Sequence, residues 1–212
     1  MGKAKNIATG LIMTGAILGI NGQDIFSQNI ENSNNKENMV NIQNDTSKKL
    51  IGLDQYDYQK MLNIEISLLS PDAIKKVMLE GINEIRKEHN LPTLKYNITL
   101  DSIAGGFSKE KINTNRREDK FCHFDNKKKG PYERILESNL RNKLILTKEN
   151  LETKGVEENL STANSNIKKI LESLMNSKNH KDAILSKHIN SIGIAYNKEA
   201  NIVVQLFANI KK

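Results

Sequence analysis

The sequence predicts an α+β fold in which helices pack on an antiparallel sheet. Apolar residues after Pro71 recur at spacings of three and four, which is typical of an amphipathic helix. The chain closes with "SIGIAYN" and "IVVQLFA", two runs rich in β-branched and aromatic residues that are joined by "KEA" and predict a hairpin. Helices first and a hairpin last favour a sandwich of helices on a sheet.

The composition is that of one globular domain with appendages. The chain has 212 residues, of which 37% are hydrophobic and 27% charged, which argues against a multi-span membrane protein. Its net charge of +7 favours acidic partners such as anionic lipid surfaces or glycosaminoglycans. Lys127–Lys129 form the one tight basic run, and no aromatic residue interleaves with it, so nucleic acid is not expected as a partner. We expect a monomer.

The N-terminus predicts export. Lys3 and Lys5 precede residues 7–20, an uncharged stretch that is typical of a secretory signal and too short for a comfortable transmembrane helix. Residues 1–22 are therefore predicted to be a signal that is cleaved at its end or kept as an anchor. Ile20 stands where a lipoprotein would carry its acylated cysteine, so lipidation is not supported.

Three further segments complete the domain plan. Residues 23–50 are polar, rich in Asn and aperiodic, which indicates a flexible tether. Residues 51–70 carry enough apolar residues for a short helix, and we expect this extension to pack on the main domain, which spans residues 71–212. The single cysteine, Cys122, leaves no internal disulfide, so packing must hold the domain together.

Helices are expected at four places in the domain. The first begins at residues 70–72, where Pro and an acidic residue suit a first turn, and ends near Asn90. The second starts around Thr99, and its inward stripe is expected to be Leu100, Ile103, Ala104, Phe107 and Ile112. The third covers residues 166–176, and a short fourth follows His180.

A few polar groups could carry chemistry. His123 lies in a polar segment, residues 113–155, that is expected to be mostly irregular, and Glu158 and Asn159 lie in a run that could form a strand at the sheet's edge. His180 lies at a helix junction. Two imidazoles and a carboxylate are the minimum for a zinc or nickel site or for acid–base work, although their spacings match no local metal motif. Alternatively, His180 could bond Glu158 and pin the junction, and Glu158 could accept backbone N–H bonds.

Five segments, in order, carry a family resemblance. The first matches by Asn83, Arg86, His89, Pro92, Leu94 and Ala104, and the second by His123, Gly130, Tyr132 and Arg134. The others are "EENLSTA", "LMNSKNHKDAIL" and the closing hairpin. Together, over residues 82–208, they resemble the CAP superfamily, which groups cysteine-rich secretory, antigen 5 and pathogenesis-related proteins with bacterial SCP-like domains.

The resemblance implies a three-layer α-β-α sandwich with a surface cleft lined by two histidines and acidic residues. Carried over residue by residue, His123, Glu158 and His180 are the cleft groups, and Asn159 and Ser177 are predicted to be cleft residues beside them. Ser177 stands where some members carry a second carboxylate. The metal candidates are His123 and His180; no cofactor is required, and zinc is the ion that the cleft could hold.

The chain also departs from the family pattern. A Gly, a Trp and a Gly of the signatures are replaced by Glu157, Leu174 and Asn179. "KENLE" offers Glu149 as a competitor for Glu158, but the interval to His180 favours Glu158. The cysteines of the eukaryotic members are absent, so activities of their disulfide-bonded modules do not transfer.

Other conspicuous residues have simpler explanations. His89 is expected to be a structural histidine near a helix end, and His188 a surface residue. Cys122 is adjacent to His123, but neighbours on an extended segment point to opposite faces, so we expect a buried thiol rather than a Cys–His pair.

The sequence favours an exported, non-enzymatic CAP-domain protein of bacterial type, at the outer surface, in the periplasm or secreted. Its cleft or basic face would bind a lipid, a polysaccharide, a divalent metal or a host component. One alternative is a hydrolase in which His123 and His180 hold a metal and Glu158 activates water, with Ser177 as the one candidate nucleophile. Another is a structural or adhesive module with a vestigial cleft. The Asn, Lys and Ile bias makes a spirochaetal outer-surface protein a candidate identity.

Overall fold

The computed structural model describes residues 51–52, 57–112, 114 and 117–211. The predicted signal over residues 1–22 and the predicted tether over residues 23–50 lie outside the described residues. None of the helices in the described part of the chain is long and apolar enough to cross a membrane.

The extension before the first long helix packs on the main domain. A short helix, α1 (Tyr58–Met61), is capped by the side chain of Asp57, and a 3-10 turn follows at Ile66–Leu68. Met61, Ile66 and Leu69 are at most 1% exposed and belong to the larger of two core clusters. The described part of the extension therefore belongs to the same packed body as the main domain.

The first long helix, α2 (Pro71–Glu88), lies where it was predicted. The Ser70 hydroxyl accepts a hydrogen bond from the Ala73 N–H and caps the helix, while Pro71 occupies its first turn. At the other end, the buried Arg86 donates to the carbonyl oxygens of Pro92, Ile184 and Ser186. Arg86 therefore ties the end of α2 to a segment about 100 residues away in sequence.

The second helix, α3 (Ile98–Glu110), is capped by the Asn97 side chain, two residues before the predicted start. Leu100, Ala104 and Phe107 are buried as predicted. Ile112 is not part of the inward stripe, because the helix has ended by then and Ile112 is 37% exposed. The chain turns there, and Lys111 points its ammonium at two carbonyl oxygens further along the chain.

Helix α3 approaches the sheet most closely at Gly193. A Cβ atom at this position would lie 2.1 Å from the backbone nitrogen of Asp101 and 2.2 Å from the carbonyl carbon of Leu100. Only a residue without a side chain allows this contact, so the glycine in "SIGIAYN" serves close helix–strand packing.

The described strands form one four-stranded sheet in the order β1-β3-β4-β2. They are β1 (Lys95–Tyr96), β2 (Val156–Thr162), β3 (Ser191–Asn197) and β4 (Ile202–Ala208). The predicted hairpin is β3–β4, and β2 pairs antiparallel with β4 at the sheet's edge, with Glu158 opposite Leu206. The sheet is mixed rather than purely antiparallel, because β1 pairs parallel with β3. A strand of two residues is too short to show a period in the sequence.

The segment between α3 and β2 is more ordered than predicted. Two short helices, α4 (Arg117–Lys120) and α5 (Pro131–Leu136), are followed by 3-10 turns at Arg141–Lys143 and Lys148–Asn150. None of these elements is long enough to display the repeating apolar spacing from which a helix is recognised.

The last two helices meet at Ser177. Helix α6 (Ile167–Asn176) is capped by Asn166 and buries Ile167, Ile170, Leu171 and Leu174, as predicted. Helix α7 (Lys178–Ile184) begins two residues before His180, so the prediction that it follows His180 was wrong. Ser177 is in an extended conformation and ends α6 as well as starting α7, which removes the linker that the sequence suggested.

The α+β sandwich is confirmed by two core clusters on opposite faces of the sheet. One contains the apolar faces of α2, α6 and α7, and the other those of α3 and α5. Neighbouring strand residues alternate between them: Ile194 of β3 belongs to the first cluster and Ala195 to the second. This alternation follows from the pleat of the strand.

Candidate functional site

A cleft of about 550 Å³ opens at the edge of the sheet, over the end of β2. One wall is the segment around α4, and the other is α6 with the start of α7. Its apolar lining consists of Phe121, Leu160, Ile170 and Leu174, and its polar lining of Glu118, His123, Ser161, Thr162, Ser165, Lys169, Ser173 and His180. The cleft is therefore amphipathic, and both predicted cleft histidines line it.

Glu158 orients His123 from behind the cleft wall. The Nδ1 atom of His123 lies 2.9 Å from Oε1 of Glu158. A carboxylate can only accept, so Nδ1 carries the proton and Nε2 is left free of this bond. The His123 side chain is 42% exposed and that of Glu158 only 1%. Glu158 is buried because it shares a face of β2 with Val156 and Leu160, which pack in the cluster of α3 and α5.

Arg134, on α5, neutralises Glu158. Its Nη2 donates to Oε2 of Glu158, and its Nη1 donates to the carbonyl oxygens of His123, at 2.9 Å, and Lys129, at 3.1 Å. The guanidinium carbon lies 3.9 Å from the centre of the Phe107 ring, a cation–π contact. With the Arg134 side chain 7% exposed, this is a buried ion pair, and burial of either charge requires the other.

His180 is held in place through its backbone. The Nδ2 atom of Asn159 lies 3.1 Å from the carbonyl oxygen of His180 and 3.3 Å from Oε1 of Gln205. Asn159 is fully buried, so it anchors α7 to the sheet rather than lining the cleft. Burial, followed by the nearby His123, lowers the pKa of His180. Within the described ranges, no hydrogen bond joins the His180 ring to Glu158.

The other predicted site residues lie elsewhere. Ser177 is at the junction of α6 and α7 and does not line the cleft; its carbonyl oxygen accepts from the Lys181 N–H. Glu149, the competitor for Glu158, is exposed in the 3-10 turn Lys148–Asn150. Glu158 is therefore the carboxylate that contacts a cleft histidine.

The model of the cysteine-rich secretory protein family, CAP, matches residues 79–207, which is more than half of the chain. The chain belongs to this family. The predicted resemblance is thereby confirmed. The matched span starts within α2, so α1 and the rest of the extension lie outside the part that the CAP model describes.

Solved structures of bacterial proteins resemble this CAP domain. An extracellular protein containing an SCP domain from Bacillus anthracis is 20% identical, with a TM-score of 0.54, over 74% of this chain and 44% of its own. A cysteine-rich secretory protein from Staphylococcus aureus is 18% identical, with a TM-score of 0.51, over 66% of this chain and 39% of its own. An outer surface protein from Borrelia burgdorferi is 23% identical, with a TM-score of 0.49, over 64% and 92%.

The likeness to the first two structures shows the fold. This chain spans less than half the length of either protein. A comparison with curated protein sequences gives no match.

The residues of this CAP domain do not fit the zinc ion that the family resemblance allows. The described residues contain no group of three or more His, Cys, Asp or Glu side chains that could hold a metal. A catalytic zinc ion takes three protein ligands. The cleft lining offers the imidazoles of His123 and His180 and the carboxylate of Glu118, which do not form such a group among the described residues. Both carboxylate oxygens of Glu158, the expected third group, are engaged by His123 and Arg134.

Among the described residues, no nucleophile is paired with a base in the cleft. In the part of the chain that the structure describes, no hydroxyl or thiol group forms a hydrogen bond with the ring of His123 or His180. The Ser161 hydroxyl is buried and has no partner among the described residues. Cys122 is half-buried, not buried as predicted, because it lies in the short connection between α4 and the turn at His123.

Sequence reasoning missed Arg134 as a site residue. Arg134 matched the family pattern, yet only the folded structure shows that its charge is directed at Glu158. A signal was available, since a carboxylate on a buried strand needs a cationic partner. Glu118 and Lys169, which line the cleft, had no such signal, because both are exposed charges on helices.

The two remaining histidines lie outside the cleft lining. His89 caps the C-terminal end of α2, with its Nδ1 atom 2.8 Å from the carbonyl oxygen of Ile85, as expected for a structural histidine. His188 is half-buried rather than fully at the surface.

Proposed function

We propose that this chain is an exported, non-enzymatic CAP-domain protein whose cleft binds an amphipathic organic ligand. The observation that carries the proposal is the cleft, since cavities of roughly 300–1,000 Å³ accommodate small organic ligands. Its apolar lining, Phe121, Leu160, Ile170 and Leu174, would cover the hydrocarbon part of a ligand. The hydroxyl groups and imidazoles beside them would form hydrogen bonds with its polar end.

The binding role is supported by how Glu158 is used. A general base that activates water needs a carboxylate or imidazole with access to the cleft. Glu158 is 1% exposed, and its two oxygens contact His123 and Arg134. In the alternative function predicted above, Glu158 would be the base, and this geometry does not favour that role.

One observation favours a hydrolase as the second candidate. The bond from Nδ1 of His123 to Glu158 leaves Nε2 unprotonated when the imidazole is neutral, as in a general base oriented by a carboxylate. Such a base would act on water, because no described hydroxyl group lies in hydrogen-bond contact with it. This candidate requires turnover that depends on His123.

Export is also part of the proposal. The uncharged stretch over residues 7–20 after Lys3 and Lys5 supports it. Mass spectrometry of the protein from its native host would test it: a mature chain that begins near Gly22 supports cleavage, and an intact N-terminus on a membrane-bound protein supports an anchor. An intact chain in the cytosol would contradict export. A spirochaetal outer-surface location stays a prediction.

The cleft can be tested with a neutral amphiphile, dodecyl maltoside below its critical micelle concentration. The probe is titrated into protein with labelled histidines, and the imidazole signals are followed by NMR. We expect the signals of His123 and His180 to shift and saturate, while that of His188, outside the cleft lining, stays unchanged. Unchanged signals of both cleft histidines would support a vestigial cleft instead.

A pair of adjacent substitutions controls for surface effects. Ser173 lines the cleft and Glu172, its neighbour on α6, does not; both are exposed. Ser173→Trp should fill the cleft and abolish the shifts, and Glu172→Trp should preserve them. Hydrolysis of p-nitrophenyl acetate tests the second candidate. If the wild type releases p-nitrophenol and His123→Gln does not, the result favours the hydrolase.

A further inference from the structure

We infer that Arg134 sets the specificity of the cleft against divalent metal ions, by cancelling the one buried negative charge beside its two imidazoles. The inference concerns the same cleft as the proposed function, but it does not require that an organic ligand binds there. It assigns to Arg134 a role as a specificity-determining residue.

The charged groups around the cleft occur in opposed pairs. At neutral pH, Glu118 and Lys169 contribute one charge of each sign to the lining. Behind the wall, Glu158 and Arg134 contribute another opposed pair. The charged groups of the cleft lining and of the ion pair behind it therefore sum to no net negative charge.

The Glu158–Arg134 pair cannot easily separate. Arg134 is held by three oxygen atoms, of Glu158, His123 and Lys129, and by the ring of Phe107. If Glu158 turned towards a metal ion, the guanidinium of Arg134 would lose its counter-ion. The Arg134 side chain is 7% exposed, so water has little access to replace that counter-ion. The carboxylate is thus reserved for Arg134.

With Glu158 paired to Arg134, few ligands remain in the cleft for a metal ion. Glu118 lines the cleft but forms no three-ligand group with the two imidazoles among the described residues. Two imidazoles are fewer than the three protein ligands of a catalytic zinc site or the four of a structural one. A carboxylate that hydrogen bonds to a ligating histidine usually strengthens its binding of the metal. Here that carboxylate is neutralised by Arg134, so its contribution is lost.

The same geometry predicts a gain of metal binding when the positive charge is removed. In Arg134→Gln, Glu158 keeps its bond to Nδ1 of His123, and a divalent ion bound at the imidazoles would replace the guanidinium as the positive charge that burial of Glu158 requires. A unit charge several ångströms from a divalent ion changes its affinity on the order of tenfold or more, even with substantial screening. The variant should then bind zinc at the cleft imidazoles more tightly than the wild type does.

Calorimetric titration with zinc chloride tests the inference on the full chain. We expect no stoichiometric uptake at micromolar zinc by the wild type, and uptake at least about tenfold tighter by Arg134→Gln. The double variant Arg134→Gln, Glu158→Gln should lose the gain, because the negative charge is then absent. The matched control is Arg141→Gln, which removes an exposed positive charge outside the cleft and should behave as the wild type.

Two results would overturn the inference. One is stoichiometric zinc binding by the wild type that disappears when His123 and His180 are both changed to Gln. The other is a folded Arg134→Gln variant, with the circular dichroism of the wild type, that does not bind zinc more tightly. If Arg134→Gln is unfolded without metal, recovery of the wild-type circular dichroism on addition of zinc supports the inference, and no recovery overturns it. Failure of dodecyl maltoside to shift the imidazole signals would count against the proposed ligand and not against this inference.

Discussion

Glu158 and Arg134 form a buried ion pair directly behind the imidazole of His123. The pair joins the edge strand β2 to helix α5, and the same guanidinium holds the carbonyl oxygen of His123. A carboxylate that the family resemblance assigns to the cleft is thus, in this chain, an internal charge that orients one cleft histidine.

The first prediction concerns the loss of one partner of this pair. Glu158→Gln leaves the charge of Arg134 buried without a counter-ion, and we expect a loss of about 3–5 kcal/mol in the free energy of unfolding. Urea denaturation followed by circular dichroism measures it. Glu152→Gln, at an exposed position, should change the free energy by less than about 0.5 kcal/mol. Equal stability of Glu158→Gln and the wild type would mean that the pair is not buried.

The second prediction concerns the contact between α3 and β3. Gly193→Ala would place a methyl group 2.1 Å from the backbone nitrogen of Asp101, and backbone cannot move aside as a flexible side chain can. We expect a loss of at least about 1–3 kcal/mol on thermal or urea unfolding. Gly106→Ala, inside α3 with nothing within 4 Å of the new Cβ, should instead stabilise by about 0.5–1 kcal/mol. A neutral Gly193→Ala would contradict the close approach.

The third prediction concerns pH and His180. Its pKa is lowered from 6.5 by burial and by His123, so the unfolded chain binds a proton more readily than the folded one. The stabilising contribution of the neutral imidazole is present above about pH 6.5 and is lost as the pH falls below that value towards the folded pKa. Melting temperatures measured across this window should therefore fall less in His180→Gln than in the wild type. The same fall in both proteins would show that His180 does not contribute.

The fourth prediction concerns the extension outside the span of the family model. Ile66 is fully buried in the cluster with α2 and α6, so Ile66→Ala should lower the free energy of unfolding by about 2–5 kcal/mol. Leu151→Ala, at a side chain that is 61% exposed, serves as the control and should have an effect below about 0.5 kcal/mol. If both variants unfold like the wild type, the extension does not belong to the core.

The elements that the sequence predicted are those with a long apolar period or a strong cap. Helix α2 follows from Ser70 and Pro71 and from the spacing of its buried residues, and the hairpin β3–β4 from two β-branched runs around a polar turn. Both signals are local, because neighbouring residues alone determine them. The five segments that resemble the CAP family predicted the three layers and the two cleft histidines.

Only the tertiary structure decided what these residues do together. Strand β1 exists because two residues pair with β3, and neither carries a pattern of its own. Asn159 anchors α7 and Arg134 neutralises Glu158, and these contacts join residues 21 and 24 positions apart in sequence. Such contacts depend on which face of a strand or helix each side chain occupies and on what lies opposite, and that information arises only when the layers pack.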